Sequence, residues 1–254
     1  MKHLKGFSKG GLVAIIAVVA FIAVAAFFVI DGNSKATDYS KYDFFSIISP
    51  DEHNGFIGDH VKGNPDAPVI IFEYADFQCP GCASMNPRVN AAIDAADGNL
   101  AVVYRSDILS YHQNGTAAAS AAEAAGLQGF WKPYADLLFK NQADWEYATS
   151  DKRTTLFEQY FLEVAGDKAD LDKFRTDMAS KEVSQKINFD LGIAKRLDVP
   201  ATPGFYVDGQ YIDWSNKDGG SINIDGKILS WESTMTGDQF QDLLVKISEA
   251  KLAD

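Results

Sequence analysis

Two cysteines, Cys79 and Cys82, are the only ones in a chain of 254 residues, and their surroundings narrow the possible folds more than any other feature. Pro80-Gly81 separates them. A strand-like apolar run, Val69-Ile70-Ile71-Phe72-Glu73-Tyr74-Ala75, comes just before, and a helical pattern runs from Ala83 to about Ala96. A strand that delivers C-x-x-C to the start of a helix is the arrangement of a redox dithiol. The first sulfur then lies among unpaired backbone N–H groups at the positive end of the helix dipole, which favours thiolate over thiol. Pro80 suits the first helical turn, where its missing N–H costs nothing. The spacing i, i+3 puts both sulfurs on one face, within reach of a small disulfide ring. Three readings compete: a structural disulfide, two core thiols and a two-cysteine metal site. A disulfide loop this short restrains the unfolded chain little. A metal site needs further ligands, and His3, His53, His60 and His112 are scattered.

The stretch Phe72-Glu73-Tyr74-Ala75-Asp76-Phe77-Gln78-Cys79-Pro80-Gly81-Cys82 resembles the active-site strand and loop of the DsbA-like thiol–disulfide oxidoreductases. A second landmark agrees. Thr202-Pro203 precedes a strand-like Phe205-Tyr206-Val207 and a turn Asp208-Gly209. The resemblance covers roughly Gly58 to Gly209, plus a C-terminal helix. It implies an α/β thioredoxin fold, with a central mixed sheet flanked by helices and an inserted all-helical subdomain. It also implies that Thr202-Pro203 carries a cis peptide bond facing the dithiol, so that substrate backbone pairs with Thr202 as an added strand. A simple trans turn is the bland alternative. Strongly oxidising members of the family carry a histidine where this chain has Gly81, which offers only backbone. A less oxidising potential is therefore expected here.

Composition agrees with a globular protein: hydrophobic content is 46% and aromatic content 12%. The net charge of −12 argues against nucleic acid as a partner, because an acidic surface repels phosphates. No zinc-type Cys/His spacing, phosphate-binding glycine loop or H-E-x-x-H is present. No metal and no cofactor is expected beyond the redox-active disulfide Cys79–Cys82. Leu12 to Ile30 is an unbroken apolar run of 19 residues, about 28 Å long as a helix. That nearly matches a hydrocarbon core of about 30 Å. Lys2, Lys5 and Lys9 precede it and Asp31 follows. The expectation is a basic cytoplasmic segment at 1–9, a transmembrane signal-anchor at 10–30, a tether at 31–50 and an exported domain at 51–254. A cleaved signal peptide is the competing reading, although the apolar run is long for one.

Along the domain, a short edge strand is expected around Phe56–Ile57, and a turn cluster at Gly63–Pro68 leads into the first central strand. Leu100–Arg105 reads as a parallel neighbour, reached through the dithiol helix in a βαβ unit. About 110–197 reads as the helical insertion. Its helices are Thr116–Gly126, Phe130–Asn141, Lys152–Ala165 capped by Ser150-Asp151, and Ala169–Leu197 with a break near Ala179-Ser180. Phe205–Val207 and Gln210–Trp214 read as a hairpin. The chain then departs from the family pattern. Ser215–Ser233 adds about twenty residues with turns at Gly219-Gly220 and Asp225-Gly226, an extra hairpin expected to reshape one edge of the sheet. A last amphipathic helix follows Thr236, with Phe240, Leu243, Leu244 and Ile247 on one face.

Cys79 is expected to be the exposed, reacting sulfur and Cys82 the resolving one. Glu73, the only charge in its strand, reads two ways: a buried carboxylate with a raised pKa that relays protons for Cys82, or a strand-end residue reaching solvent. Asp76 reads as a loop or cap residue, and His112 as the opening of the first inserted helix. Asn114-Gly115-Thr116 is a formal glycosylation sequon but reads as a helix-start turn. The implied activity is disulfide formation in exported proteins, by a monomer. Its partners would be unfolded or reduced exported proteins and a quinone-linked membrane protein that reoxidises the dithiol. A reductase or isomerase of the same fold, and a non-catalytic chaperone or adaptor, are the alternatives.

Overall fold

The computed structural model describes residues 37–252. The expected anchor at 10–30 and the basic segment before it lie outside the described residues. Among the described residues, no helix is long and apolar enough to cross a membrane.

Five strands make the central sheet: β1 (His60–Gly63), β2 (Val69–Ala75), β3 (Leu100–Ser106), β4 (Gly204–Val207) and β5 (Gln210–Tyr211). Their order is β1-β3-β2-β4-β5. β2 and β3 run parallel, joined through helix α1 (Pro80–Ala95). β1 adds antiparallel to β3, and β4 antiparallel to β2. The sheet is therefore mixed, and this order and insertion are those of a thioredoxin fold. β2 and β3 are covered on both faces, which is why their sequences are continuous apolar runs rather than alternating ones.

The first strand lies later than expected. Phe56 is in a turn with φ of 58°, closed by its N–H to the Asp51 carbonyl at 2.8 Å, so the chain cannot be extended there. Pairing begins only at His60, opposite Tyr104. The boundary after the tether also moves. From Tyr39 the chain belongs to one compact unit with the domain. Aromatic residues dock it: Tyr39 stacks on Phe189 at 5.3 Å, and Phe45 packs on Phe72 and Tyr206. Buried Arg105 holds the same segment by donating to the carbonyls of Phe44 and Ser46 while pairing with Asp59 at 2.7 Å.

Between β3 and β4 lie six helices: α2 (Gly115–Gly126), α3 (Trp131–Lys140), α4 (Gln142–Trp145), α5 (Ser150–Ala165), α6 (Leu171–Met178) and α7 (Lys181–Leu197). The expected break at Ala179-Ser180 is real. The Ser180 hydroxyl accepts from the Val183 N–H and starts α7. α2 is rich in alanine because it is buried nearly all round, and small side chains let its neighbours approach. Trp145, Phe157, Phe161 and Phe174 fill the space beside it. Phe161 and Phe174 stack at 4.4 Å.

After β5 come a hairpin, β6 (Gly220–Ile224) and β7 (Lys227–Trp231), and the last helix, α8 (Gly237–Leu252). The hairpin forms its own two-stranded sheet instead of extending the central one. β5 is too short to carry it, and Gln210 touches β6 only through its side chain. α8 buries Phe240, Leu243, Leu244 and Ile247, the face anticipated from its spacing. It packs along α1 beside the sheet, and so supports the helix that bears the cysteines.

Candidate active site

Cys79 is the residue before the first turn of α1, with φ of −75° and ψ of 121°, and Pro80 occupies the first helical position. The helix thus begins three residues earlier than its apolar pattern suggests. The Ala83 N–H donates to the Cys79 carbonyl at 3.1 Å, which closes the first turn. Both cysteines are free thiols in this structure. Cys82 is fully buried, as expected of the inner sulfur. Cys79 is only 7% exposed, which corrects the expectation of an open sulfur. The loop at Thr202–Pro203 covers it: the peptide bond is cis, and the Thr202 carbonyl oxygen lies 3.4 Å from Sγ. Gly81 completes this close approach. A Cβ there would sit 3.4 Å from Pro203 and 3.6 Å from the Cys79 sulfur.

The two thiols are driven in opposite directions. Cys79 falls from an ordinary 9.0 to about 5. The largest cause is the hydrogen bond from the Cys82 thiol, followed by the Thr202 hydroxyl and the N–H groups of Cys82 and Gly81, all against the penalty of burial. The Thr202 hydroxyl oxygen is buried and makes no hydrogen bond in this structure, so it is free to turn toward the Cys79 thiolate. Burial pushes Cys82 well above its usual value, and its hydrogen bond to Cys79 pushes it further. The pair is thus an outer thiolate held by donors and an inner thiol held in its neutral form.

The active-site loop is fixed from two sides. Asp76, fully buried, accepts from the Gln78 N–H at 2.8 Å, the Leu109 N–H at 2.9 Å and His112 at 2.7 Å. This makes it the loop anchor expected of it. His112 contacts Asp76 and not a sulfur. Gln142, on α4, donates to the carbonyls of Phe77 and Cys79 at 2.7 and 3.1 Å. Gln78 joins the Asn114 N–H to the Glu146 carbonyl. The Asn114 side chain donates to three carbonyls, of Trp145, Glu146 and Ala148, just ahead of α2. The sequon asparagine is therefore a buried element of a helix start. Gln142 and Gln78 carried no signal in the sequence, because their partners are backbone carbonyls on loops far away in the chain.

Glu73 does not reach solvent. It is fully buried, opposite Tyr104 and Phe205 in the sheet, and adds to the negative field that opposes ionisation of Cys82. Lys62, equally buried, lies 3.0 Å from one of its oxygens and 3.0 Å from Asn86 of α1. Its other oxygen, Oε1, has no partner. Asn86 and Asn90 both donate to Asp136 of α3, so this polar chain ties β1, β2, α1 and the insertion together. Lys62 was not singled out by the sequence, since a lysine on an edge strand reads as a solvated residue.

Among known proteins, a family model described as thioredoxin matches residues 56–232. Several solved structures share the fold. A thioredoxin-like oxidoreductase from Silicibacter pomeroyi is 24% identical with a TM-score of 0.54, over 77% of this chain and 94% of that one. BdbD from Bacillus subtilis, in its oxidised form, is 17% identical with a TM-score of 0.55, over 83% and 100%. The α-DsbA1 of Wolbachia pipientis is 22% identical with a TM-score of 0.54, over 76% and 92%. Among curated sequences, a Na(+)/H(+) antiporter NhaA 1 of Salinispora arenicola is 32% identical over 197 residues. That match takes in 77% of this chain but 26% of the antiporter, so the likeness is to one part of a longer protein. The chain belongs to the thioredoxin family, and its fold is that of the DsbA-like thiol–disulfide oxidoreductases.

Proposed function

We propose that the protein is an exported thiol–disulfide oxidoreductase that donates disulfides to secreted or envelope proteins through Cys79 and Cys82. The observation that carries this reading is the opposed ionisation of the two sulfurs, with Cys79 at about 5 and Cys82 held neutral. In the oxidised form a substrate thiolate attacks the Cys79 sulfur. The Cys79–Cys82 bond breaks, Cys82 leaves and takes up a proton, and a mixed disulfide joins Cys79 to the substrate. A second substrate thiolate then attacks the substrate sulfur of that bond and Cys79 departs as thiolate. The substrate loses two electrons and the dithiol gains them. A low-pKa thiol is the better leaving group, so this geometry favours release from Cys79 and hence donation.

Glu73 is proposed to relay protons to and from Cys82. It is buried beside that sulfur with one oxygen unpartnered. The Thr202 backbone is the proposed edge on which an extended substrate segment pairs, next to the sulfur it must reach. Pro80 and Gly81 shape the turn between the cysteines. In this reading the segment 10–30 anchors a monomer with its N-terminus cytoplasmic and its domain outside, where an oxidising compartment lets the dithiol cycle. A quinone-linked membrane protein reoxidises it.

Equilibration of the protein with glutathione tests the direction of transfer. A disulfide donor has a potential in the range of about −120 to −180 mV, and a value near about −270 mV would assign a reductase instead. Absence of any reversible titration would reduce Cys79 and Cys82 to a structural pair. Loss of turnover in Cys79→Ser separates an enzyme from a chaperone, which would tolerate it.

A further inference from the structure

The hairpin β6–β7 is the part of the chain that the thiol chemistry leaves unused. Its turn, Asp225-Gly226, has two residues with positive φ, 47° and 86°. Such a turn makes Ile224 and Lys227 the first hydrogen-bonded pair. Ile222 with Leu229, and Gly220 with Trp231, are then the next ones. The intervening residues point their backbone groups away from the partner strand. On β6 this outward edge is already occupied. The Gln210 side chain donates to the Asn223 carbonyl at 2.8 Å and accepts from its N–H at 3.2 Å, as a neighbouring strand would. On β7 the corresponding residues are Ile228 and Ser230, and neither backbone has such a partner among the described residues.

A groove of about 490 Å³ runs between this edge and α8. Consecutive residues from Ile228 to Ser233 line it, so the strand presents its edge and not one of its faces. Leu229, Met235 and Leu243 give it an apolar floor. Trp231 lies there as well, and its ring N–H is buried without an acceptor. Ile228 stands 70% exposed at the lip. Two carboxylates, Glu232 and Asp242, face a single cation, Lys246, on the walls.

We infer that the groove between β7 and α8 is a docking site for an extended polypeptide segment, which adds as a third strand to the β6–β7 sheet. The outward N–H and C=O groups of Ile228 and Ser230 pair with its backbone. Its alternate side chains enter the apolar floor, and the excess of carboxylate selects basic residues among the others. The site is separate from the Thr202 edge, and binding there involves no redox step. It also has a physical tie to the reacting sulfur. Trp214 accepts from the Met235 N–H at 2.9 Å through its carbonyl, and its ring N–H donates to the Pro203 carbonyl at 3.4 Å. A segment seated in the groove is thus held one side chain away from the loop that covers Cys79.

The test is binding of a fluorescein-labelled, cysteine-free twelve-residue peptide of alternating valine and arginine to the full chain, followed by anisotropy. Saturable binding is expected. Two changes should each weaken it at least tenfold: N-methylation of the peptide at alternate residues, and Ser230→Pro, which removes an outward N–H. Asp242→Lys should weaken it several-fold and improve binding of a peptide with glutamate in place of arginine. Thermal melting shows whether the Ser230→Pro hairpin is kept, and the N-methylated peptide gives the same answer without altering the protein. No saturable binding, or binding indifferent to N-methylation, overturns the proposal. So does a stable dimer whose dissociation by Ser230→Pro shows that β7 pairs with a second copy. Because the probe has no thiol, these outcomes are independent of whether Cys79 titrates with glutathione.

Discussion

Removing one hydroxyl from Thr202 isolates the cause of the Cys79 acidity. In Thr202→Val the side chain keeps its shape, and the carbonyl oxygen 3.4 Å from the sulfur is untouched. The lost hydroxyl is one of the groups that hold Cys79 at about 5, and it makes no hydrogen bond in this structure, so no other interaction is broken. A hydrogen bond to a charged group is worth about 1.5–3 kcal/mol. Its lower end, about 1.4 kcal/mol per pKa unit, moves Cys79 from about 5 to about 6. The folded pKa lies below the ordinary one. Its contribution to the reduced form is therefore complete above about 9, partial at pH 7 and lost as pH falls through 5. At pH 7 the native pair gains about 2.7 kcal/mol in this way, or about 60 mV for a two-electron couple. The variant should keep about half, so its potential at pH 7 falls by about 30 mV. Thiolate absorbance against pH gives the pKa, and equilibration with glutathione gives the potential. A potential that falls while the pKa stays at its native value would refute the reasoning, and so would an unchanged pKa with an unchanged potential.

Further outcomes follow from the same geometry. The potential of the native protein should fall by about 30 mV per pH unit between pH 6 and 8, where one proton accompanies two electrons. Below pH 5, where Cys79 is protonated, the slope should be about twice that, as glutathione equilibria across the range would show. Gly81→His adds a cation beside the thiolate in a place with ordinary van der Waals room, so the Cys79 pKa should drop by about one unit or more and the potential become more oxidising. A potential that did not rise would count against the view that Gly81 moderates this site. Lys62→Met leaves Glu73 as an uncompensated buried charge and should cost about 3–5 kcal/mol in urea unfolding. The double variant Lys62→Met with Glu73→Leu should recover most of that loss. Arg105→Ala releases the carbonyls of Phe44 and Ser46, so limited proteolysis should cleave within residues 39–50 well before the native chain does.

The central strands and the helices were legible because each rests on a local pattern. Val69–Ala75 and Leu100–Ser106 are apolar at nearly every position, and α8 shows its buried face at helical spacing. Where the pattern was tertiary, the sequence misled. Phe56–Ile57 has the residues of a strand, yet a turn closed by Asp51 and Asn54 takes those backbone groups. The aromatic residues of 39–50 looked like a tether because nothing nearby in the chain shows the face they cover, formed by Phe72, Phe189 and Tyr206.

The dithiol shows the same division at closer range. Strand, C-x-x-C and helix are contiguous, so the sequence alone determined that two sulfurs would meet at a helix start, with the inner one buried. That Thr202-Pro203 would face them came from the resemblance to the DsbA-like family and not from any local pattern. Three things only the tertiary structure decided. Cys79 is covered, because the Thr202 loop closes over it from the far side of the insertion. Glu73 is paired, because Lys62 reaches it from an edge strand that does not adjoin β2. The outer edge of β7 is open, because Gln210 satisfies β6 and, among the described residues, nothing does the same for Ile228 and Ser230. Each depends on groups distant in sequence converging on one point, and hydrophobic period and turn chemistry carry no information about such partners.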